Sequence, residues 1–237
     1  MMRCAVFGAS GGIGAAVVRQ LAARDDVEVV FAGSRRGAVP QGPRIAPFQF
    51  DAMDEIALTQ VVAGFGGTLD RVLVTTGRLT RADGSGPEKA LRQLTPAALA
   101  EQFADNAIVP AMIARAVQAS MPRDRASVFA ALSARVGSIG DNRLGGWHAY
   151  RASKAALNML MRTIAIEWAR THPHAAVAAL HPGTVATALS APFQRGVAAD
   201  QLFTPDASAA ALLRVVDGLT PADSGGFFAW DGTPIPF

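Results

Sequence analysis

Tyr150 is the only tyrosine in this 237-residue chain, and Lys154, four residues on, is one of only two lysines, the other being Lys89. All remaining members of the 22 basic residues are arginine, so a lysine at this place needs a reason. Both residues fall in WHAYRASKAAL (147–157), whose apolar spacing predicts a helix. Four residues make about one turn, so the two side chains share a face. A phenol with an ordinary pKa of about 10 is a poor base near neutrality, but a cation held close favours its ionised form. Such a tyrosine can give or take a proton at a carbonyl or hydroxyl oxygen. The same spacing also suits an aromatic residue packed at a helix start beside a lysine whose stem lies along apolar surface.

A second candidate opens the chain. The apolar run 3–7 leads into GASGGIG, with Gly8, Gly12 and Gly14 at a strand-to-helix turn. Glycine there lets backbone approach a diphosphate, and the helix-start N–H groups present partial positive charge to it. A tight turn made for packing would also need glycine. The second apolar run ends in AGSRR. An acid at this place would bind free ribose hydroxyls, whereas Ser34 can donate to a 2′-phosphate and Arg35 can fork onto one. The pattern favours NADP(H) over NAD(H), with Arg35 and Arg36 as solvated loop charges the alternative.

These candidates need a scaffold that brings residue 8 near residue 150. Apolar runs at 3–7, 27–32, 45–50, 71–75, 127–132, 175–180 and 226–230 alternate with helical patterns at 12–24, 54–64, 96–121, 147–171 and 205–218. Strands alternating with helices predict a parallel sheet covered on both faces. The expected fold is α/β: a single Rossmann-type doubly wound domain, residues 1–237, with a seven-stranded parallel sheet. SRRGAVPQGPR (34–44), with two glycines and two prolines, predicts a loop in place of one crossover helix. No linker composition or internal repeat divides the chain.

Half of the residues are hydrophobic, enough for a sizeable core. The formal charge of +3 arises from scattered arginines, which argues for a solvated surface and against a nucleic-acid footprint. The opening apolar stretch yields to glycine too soon for a secretion signal, and no run reaches membrane-spanning length, so a cytoplasmic protein with no membrane partner is expected. Cys4, the only cysteine, excludes an internal disulfide and reads as a small buried hydrophobe rather than a reactive thiol. Four scattered histidines without cysteine pairs or an HExxH pattern predict no metal site.

In this setting the motifs resemble the short-chain dehydrogenase/reductase family. YRASK (150–154) is similar to its YxxxK signature and GASGGIG (8–14) to its nucleotide turn. FQFDAMD (48–54), FADNAIVP (103–110) and HPGTVAT (181–187) resemble its adenine contact, its asparagine segment and its nicotinamide-side loop. SARVGSIGDNRLGGW (133–147) and LTPADSGGFFAWDGTPIPF (219–237) more narrowly resemble the C-factor branch. The resemblance implies a hydride passed between a nicotinamide and a carbonyl or alcohol carbon. It implies NADP(H) contacts from Gly8, Ser10, Gly11, Gly12, Ile13 and Gly14, then from Ser34, Arg35, Asp51 and Ala52. Thr76, Gly77, Tyr150, Lys154, Pro182, Gly183, Thr184 and Val185 complete that set. Tyr150 would be the acid or base, Lys154 would bind the nicotinamide ribose and lower the tyrosine pKa, and Asn106 would hold a water in a proton relay. An asparagine satisfying backbone within a long helix is the other reading of Asn106. Family likeness also implies a homodimer or homotetramer built on helices 147–171 and 205–218. The segment KAALNMLMRTIAIEW (154–168) is too apolar for a helix that covers only its own sheet, unless it faces the core all round.

Two places depart from the family pattern. Thr75, Thr76 and Gly77 stand where Asn-Ala-Gly is usual, which alters side-chain hydrogen bonds but keeps the glycine. LSARVGS (132–138) puts Ala134 where the substrate-binding serine belongs, and a methyl group cannot donate to a carbonyl oxygen. Ser133 should point to the opposite face of the strand. Ser138, 12 residues before Tyr150, is the candidate for the hydroxyl role, with a turn serine as the alternative. The favoured reading is an NADP(H)-dependent oxidoreductase acting on a small-molecule carbonyl or alcohol. Its competitor is a dinucleotide-binding signalling or sensor protein with slow or absent turnover. A methyltransferase on a similar sheet gives no account of Tyr150 and Lys154. Segments 137–147 and 188–203 should form the substrate pocket, without a charge pattern that names the substrate.

Overall fold

Each apolar run becomes a strand in the computed structural model, which describes all residues except 36, 37, 82, 195–197, 199 and 200. β1 (Met2–Phe7), β2 (Val27–Ser34), β3 (Ile45–Gln49), β4 (Arg71–Val74), β5 (Ser127–Leu132), β6 (Ala175–His181) and β9 (Phe227–Ala229) form one parallel sheet in the order β3-β2-β1-β4-β5-β6-β9. The order reverses at β1, between β2 and β4, which opens a crevice at the carboxyl ends of the strands.

Successive residues of β1 face opposite sides, the two-residue period of a strand. Cys4 and Val6 enter one core with Val17 and Leu21 of α1 (Gly12–Ala22) and Leu212 of α6 (Pro205–Gly218). Ala5 and Phe7 enter the other, with Leu58 of α2 (Glu55–Ala63), Ile113 of α4 (Val109–Val117) and Leu157 and Trp168 of α5 (His148–Trp168). Full burial of a side chain such as Phe7 or Leu157 contributes about 1.5–3 kcal/mol. Cys4 is fully buried, and loss of water pushes its thiol up to about 12. Among the described residues no helix is long and apolar enough to cross a membrane.

The helix expected over 96–121 is not continuous. α3 (Pro96–Phe103) passes into a π segment, Ala104–Ile108, before α4, and a 3-10 turn, Gln118–Ser120, follows. Pro110 has no N–H to give the Asn106 carbonyl, and the Val109 N–H reaches back five residues to the Ala104 carbonyl. A short parallel pair, β7 (Thr184–Val185) and β8 (Leu202–Phe203), also had no counterpart in the sequence reading. Between β2 and β3 the described residues form no helix, as the glycines and prolines predict; Arg36 and Gly37 lie outside them.

Candidate active site

The glycine turn depends on close backbone approach. Gly8 has φ +98°, and a Cβ on Gly14 would lie 2.3 Å from the Gly8 carbonyl oxygen and 2.5 Å from Thr75 Oγ1. The first turn of α1, with Ile13 half-buried in it, therefore rests directly on the loop. No side chain caps α1, so its leading N–H groups remain available to an anion. Thr75, in the asparagine position, donates to the Phe7 carbonyl at 3.0 Å.

Beside this turn the Ser34 and Thr76 hydroxyls are buried without a hydrogen-bond partner. Both line a depression of about 370 Å3 with Gly8, Ser10, Gly11 and Arg35. It adjoins a second, about 400 Å3, lined by Arg35, Asp51, Ala52, Thr76, Gly77 and Leu189, so each falls in the size range of small-molecule sites. Unpartnered buried hydroxyls ask for a polar ligand. Arg35 is exposed and, among the described residues, makes no ion pair. Asp51 accepts from the Met53 N–H at 2.9 Å. On the far side Gly183, with φ +78°, lets Phe203 approach, and the Pro182 carbonyl accepts from Ser208 of α6. Thr184 and Val185 form β7, and Thr187 lies over Gly12, where a Cβ would come within 2.9 Å of its methyl. Orphan hydroxyls, open backbone donors and a free guanidinium fit a phosphorylated dinucleotide.

Gly77 carries the groove to the helix residues. A Cβ there would lie 3.3 Å from Asn106 Oδ1 and 3.5 Å from Lys154 Nζ. Tyr150 and Lys154 are both buried on α5, with Nζ 6.0 Å from the tyrosine ring centroid and donating to the Leu132 carbonyl at 2.8 Å. Burial raises the Tyr150 pKa above its ordinary value and pushes the Lys154 amine down to about 7. Withdrawal from water sets the direction of both shifts.

Asn106, fully buried in the π segment, accepts from the Arg78 N–H at 2.8 Å and donates to the Arg78 carbonyl at 2.9 Å and to Gln102 Oε1 at 2.7 Å. Its side chain is thus spent on structure, while its carbonyl lacks the donor that Pro110 cannot supply. Gln102 stands four residues before Asn106, a spacing that could have announced the pair. Ser133 donates to Asn158 at 2.6 Å. Ser138, also buried, follows the 3-10 turn Arg135–Gly137 and accepts from the Asp141 N–H at 3.0 Å. Its own proton goes to no described residue.

Three residues not singled out individually in the sequence meet at the start of α5, and one of them, Trp147, touches Tyr150. The N-cap of α5 is Trp147, at φ +51°, a left-handed conformation that costs a non-glycine residue about 1–2 kcal/mol. Its ring meets those of Tyr150 and Phe193 edge to face. The buried Glu88 carboxylate accepts from the Ala149 N–H at 3.2 Å. Sixty-one residues separate Glu88 from Ala149, so no local pattern could have paired them.

Residues 3–197 match the short chain dehydrogenase family. The chain is similar to the C-signal protein of Myxococcus xanthus, 34% identical over 160 residues that span 67% of this chain and 90% of the relative. Its fold is similar to a short-chain dehydrogenase/reductase structure from Burkholderia multivorans with bound NADP, 25% identical, TM-score 0.81, covering 100% of this chain and 99% of the other. It is also similar to the NADPH-bound carbonyl reductase from chicken fatty liver, 24% identical, TM-score 0.84, covering 100% and 94%. The chain therefore belongs to the short-chain dehydrogenase/reductase family of oxidoreductases, in the branch that includes C-signal.

Proposed function

We propose that residues 1–237 act as one NADP(H)-dependent oxidoreductase domain that interconverts a small-molecule carbonyl compound and its alcohol. The observation that carries this reading is the burial of Tyr150 and Lys154 one helical turn apart, with Lys154 beside Gly77 and Asn106, next to a groove whose Ser34 and Thr76 hydroxyls have no partner. NADP rather than NAD is supported by the exposed Arg35, by the lack of an acid after β2, and by the NADP in the Burkholderia relative. When bound, the dinucleotide supplies the hydride chemistry.

The chain's own residues bind, orient and move protons. The turn from Gly8 to Gly14 holds the diphosphate through backbone N–H groups, Ser34 and Arg35 hold the 2′-phosphate, and Asp51 and Ala52 border the adenine. Thr76, Gly77 and residues 182–185 flank the nicotinamide side. Because burial raises its pKa, Tyr150 is a neutral phenol at neutral pH, the form that donates a proton to a carbonyl oxygen. Lys154 binds the ribose and, when charged, stabilises the phenolate left behind. The Asn106 carbonyl holds the water that returns the proton. Ser138, with its proton uncommitted, donates to the substrate oxygen in the place of the hydroxyl missing at Ala134.

Met159 and Ile166 are 66% and 54% exposed on α5, which supports association into a homodimer or homotetramer. The methyl group of Ala134 favours a second reading, a weakly active dinucleotide-binding sensor. Turnover of an aldehyde and ketone panel with NADPH and with NADH separates the two. Measurable reduction, faster with NADPH, is expected; dinucleotide binding without turnover of any carbonyl would leave the sensor.

A further inference from the structure

Trp147 holds a backbone conformation that its own residue type disfavours. Gly145, Gly146 and Trp147 follow one another at φ +62°, +65° and +51°. Glycine takes this left-handed region freely and tryptophan does not. A third glycine would make the same turn without strain, so the turn does not account for the indole. Capping does not either, because the Trp147 side chain gives α5 no cap bond.

The turn is held from outside the helix. The Glu88 carbonyl accepts from the Trp147 N–H at 2.5 Å, and its carboxylate accepts from the Ala149 N–H. Held this way, the indole lies edge to face with Tyr150, ring centroids 6.2 Å apart, and with Phe193, 5.2 Å apart. Phe193 in turn lies against Gly86, where a Cβ would sit 3.5 Å from its ring. One aromatic ring is thus fixed against the proton-transferring phenol at the cost of strain, and a second ring is packed against the first. Glu88, buried beside this turn, accepts from the Ala149 N–H and offers an anionic substrate no hydrogen-bond donor.

Building on the proposed oxidoreductase function, we propose that Trp147 and Phe193 form the aromatic wall of the substrate site. This wall selects carbonyl compounds with an aryl or other flat apolar substituent over small aliphatic and carboxylate-bearing ones. A third ring gains the same edge-to-face contacts that the two protein rings make with each other.

The test compares the wild type with Trp147→Gly and Trp147→Phe in two assays. One is NADPH-dependent reduction of benzaldehyde, propanal and glyoxylate. The other is saturation-transfer NMR of benzyl alcohol in the presence of NADP+. Trp147→Gly should lower kcat/KM for benzaldehyde about tenfold more than for propanal, mainly through KM, the size of one lost ring contact. It should also abolish saturation transfer to benzyl alcohol, while Trp147→Phe keeps most of both. Glycine suits the left-handed turn, so the thermal midpoint should hold; if the variant nonetheless fails to fold, Phe193→Ala takes its place in the comparison. Equal losses for benzaldehyde and propanal, or none, overturn the wall and leave the oxidoreductase reading standing. A wild type that reduces no carbonyl yet binds benzyl alcohol through Trp147 keeps the wall and overturns that reading. Neither turnover nor binding overturns both.

Discussion

Replacing Lys154 by methionine should stabilise the dinucleotide-free protein at neutral pH and weaken its pH dependence, while removing activity. Lys154 is 3% exposed, and burial lowers its pKa from the ordinary 10.5 to about 7. Between those values the unfolded chain binds more protons than the folded one. Stability at this position is therefore fully present above the unfolded pKa and is lost as the pH falls toward the folded one. At about 1.36 kcal/mol per pKa unit, the whole penalty is about 5 kcal/mol. Roughly 2 kcal/mol of it is in place at about pH 9 and nearly all of it by about pH 6. Methionine is of similar length and carries no charge, but it gives up the bond to the Leu132 carbonyl, worth about 1 kcal/mol. The expected net gain near pH 7 is about 3 kcal/mol. Urea unfolding of both proteins at equal concentration, without dinucleotide, measures the effect. Between pH 9 and pH 6 the wild type should lose about 2–3 kcal/mol more than Lys154→Met. The same pH dependence in both proteins would refute the burial argument.

Arg35→Ala should weaken NADPH binding by about 1.5–3 kcal/mol and NADH binding far less, as titration calorimetry would show; equal losses would count against the 2′-phosphate assignment. Gly14→Ala drives a methyl into the Gly8 carbonyl and Thr75, and should cost about 1–3 kcal/mol in chemical denaturation. An unchanged midpoint would mean the turn can yield. Ser138→Ala should slow reduction by about 10²- to 10³-fold with NADPH affinity retained, and Ala134→Ser should raise turnover if the missing hydroxyl limits it. If neither changes the rate, Tyr150 and bound water suffice.

The strands were legible because a sheet covered on both faces makes each of them a short continuous apolar run, bounded by glycine, proline or charge. The YRASK and GASGGIG segments were legible for a different reason: their chemistry is local, so the spacing alone places the Tyr150–Lys154 pair on one helix face and the glycines at one turn. The break at Ala104–Ile108 was less visible. Its cause, Pro110, stands in the sequence, but a proline near a helix start and a proline that breaks a longer helix look alike. β7 and β8 are two residues each, too short for any period to show. Glu88, Trp147 and Phe193 meet only through tertiary structure, and the left-handed φ of Trp147 leaves no compositional trace beyond the two glycines before it. The direction of the Tyr150 and Lys154 shifts depends on burial, which a spacing rule does not contain.

The central claim is that the Tyr150 hydroxyl moves a proton in a nicotinamide-dependent carbonyl reduction. The direct measurement is single-turnover oxidation of NADPH by the wild type and by Tyr150→Phe, at saturating dinucleotide and with a carbonyl that the wild type reduces. The ring stays and only the hydroxyl leaves, so dinucleotide affinity and folding should hold while the rate falls by about 10²- to 10⁴-fold, the scale of a lost general acid. A Tyr150→Phe protein that oxidises NADPH at the wild-type rate would contradict the account.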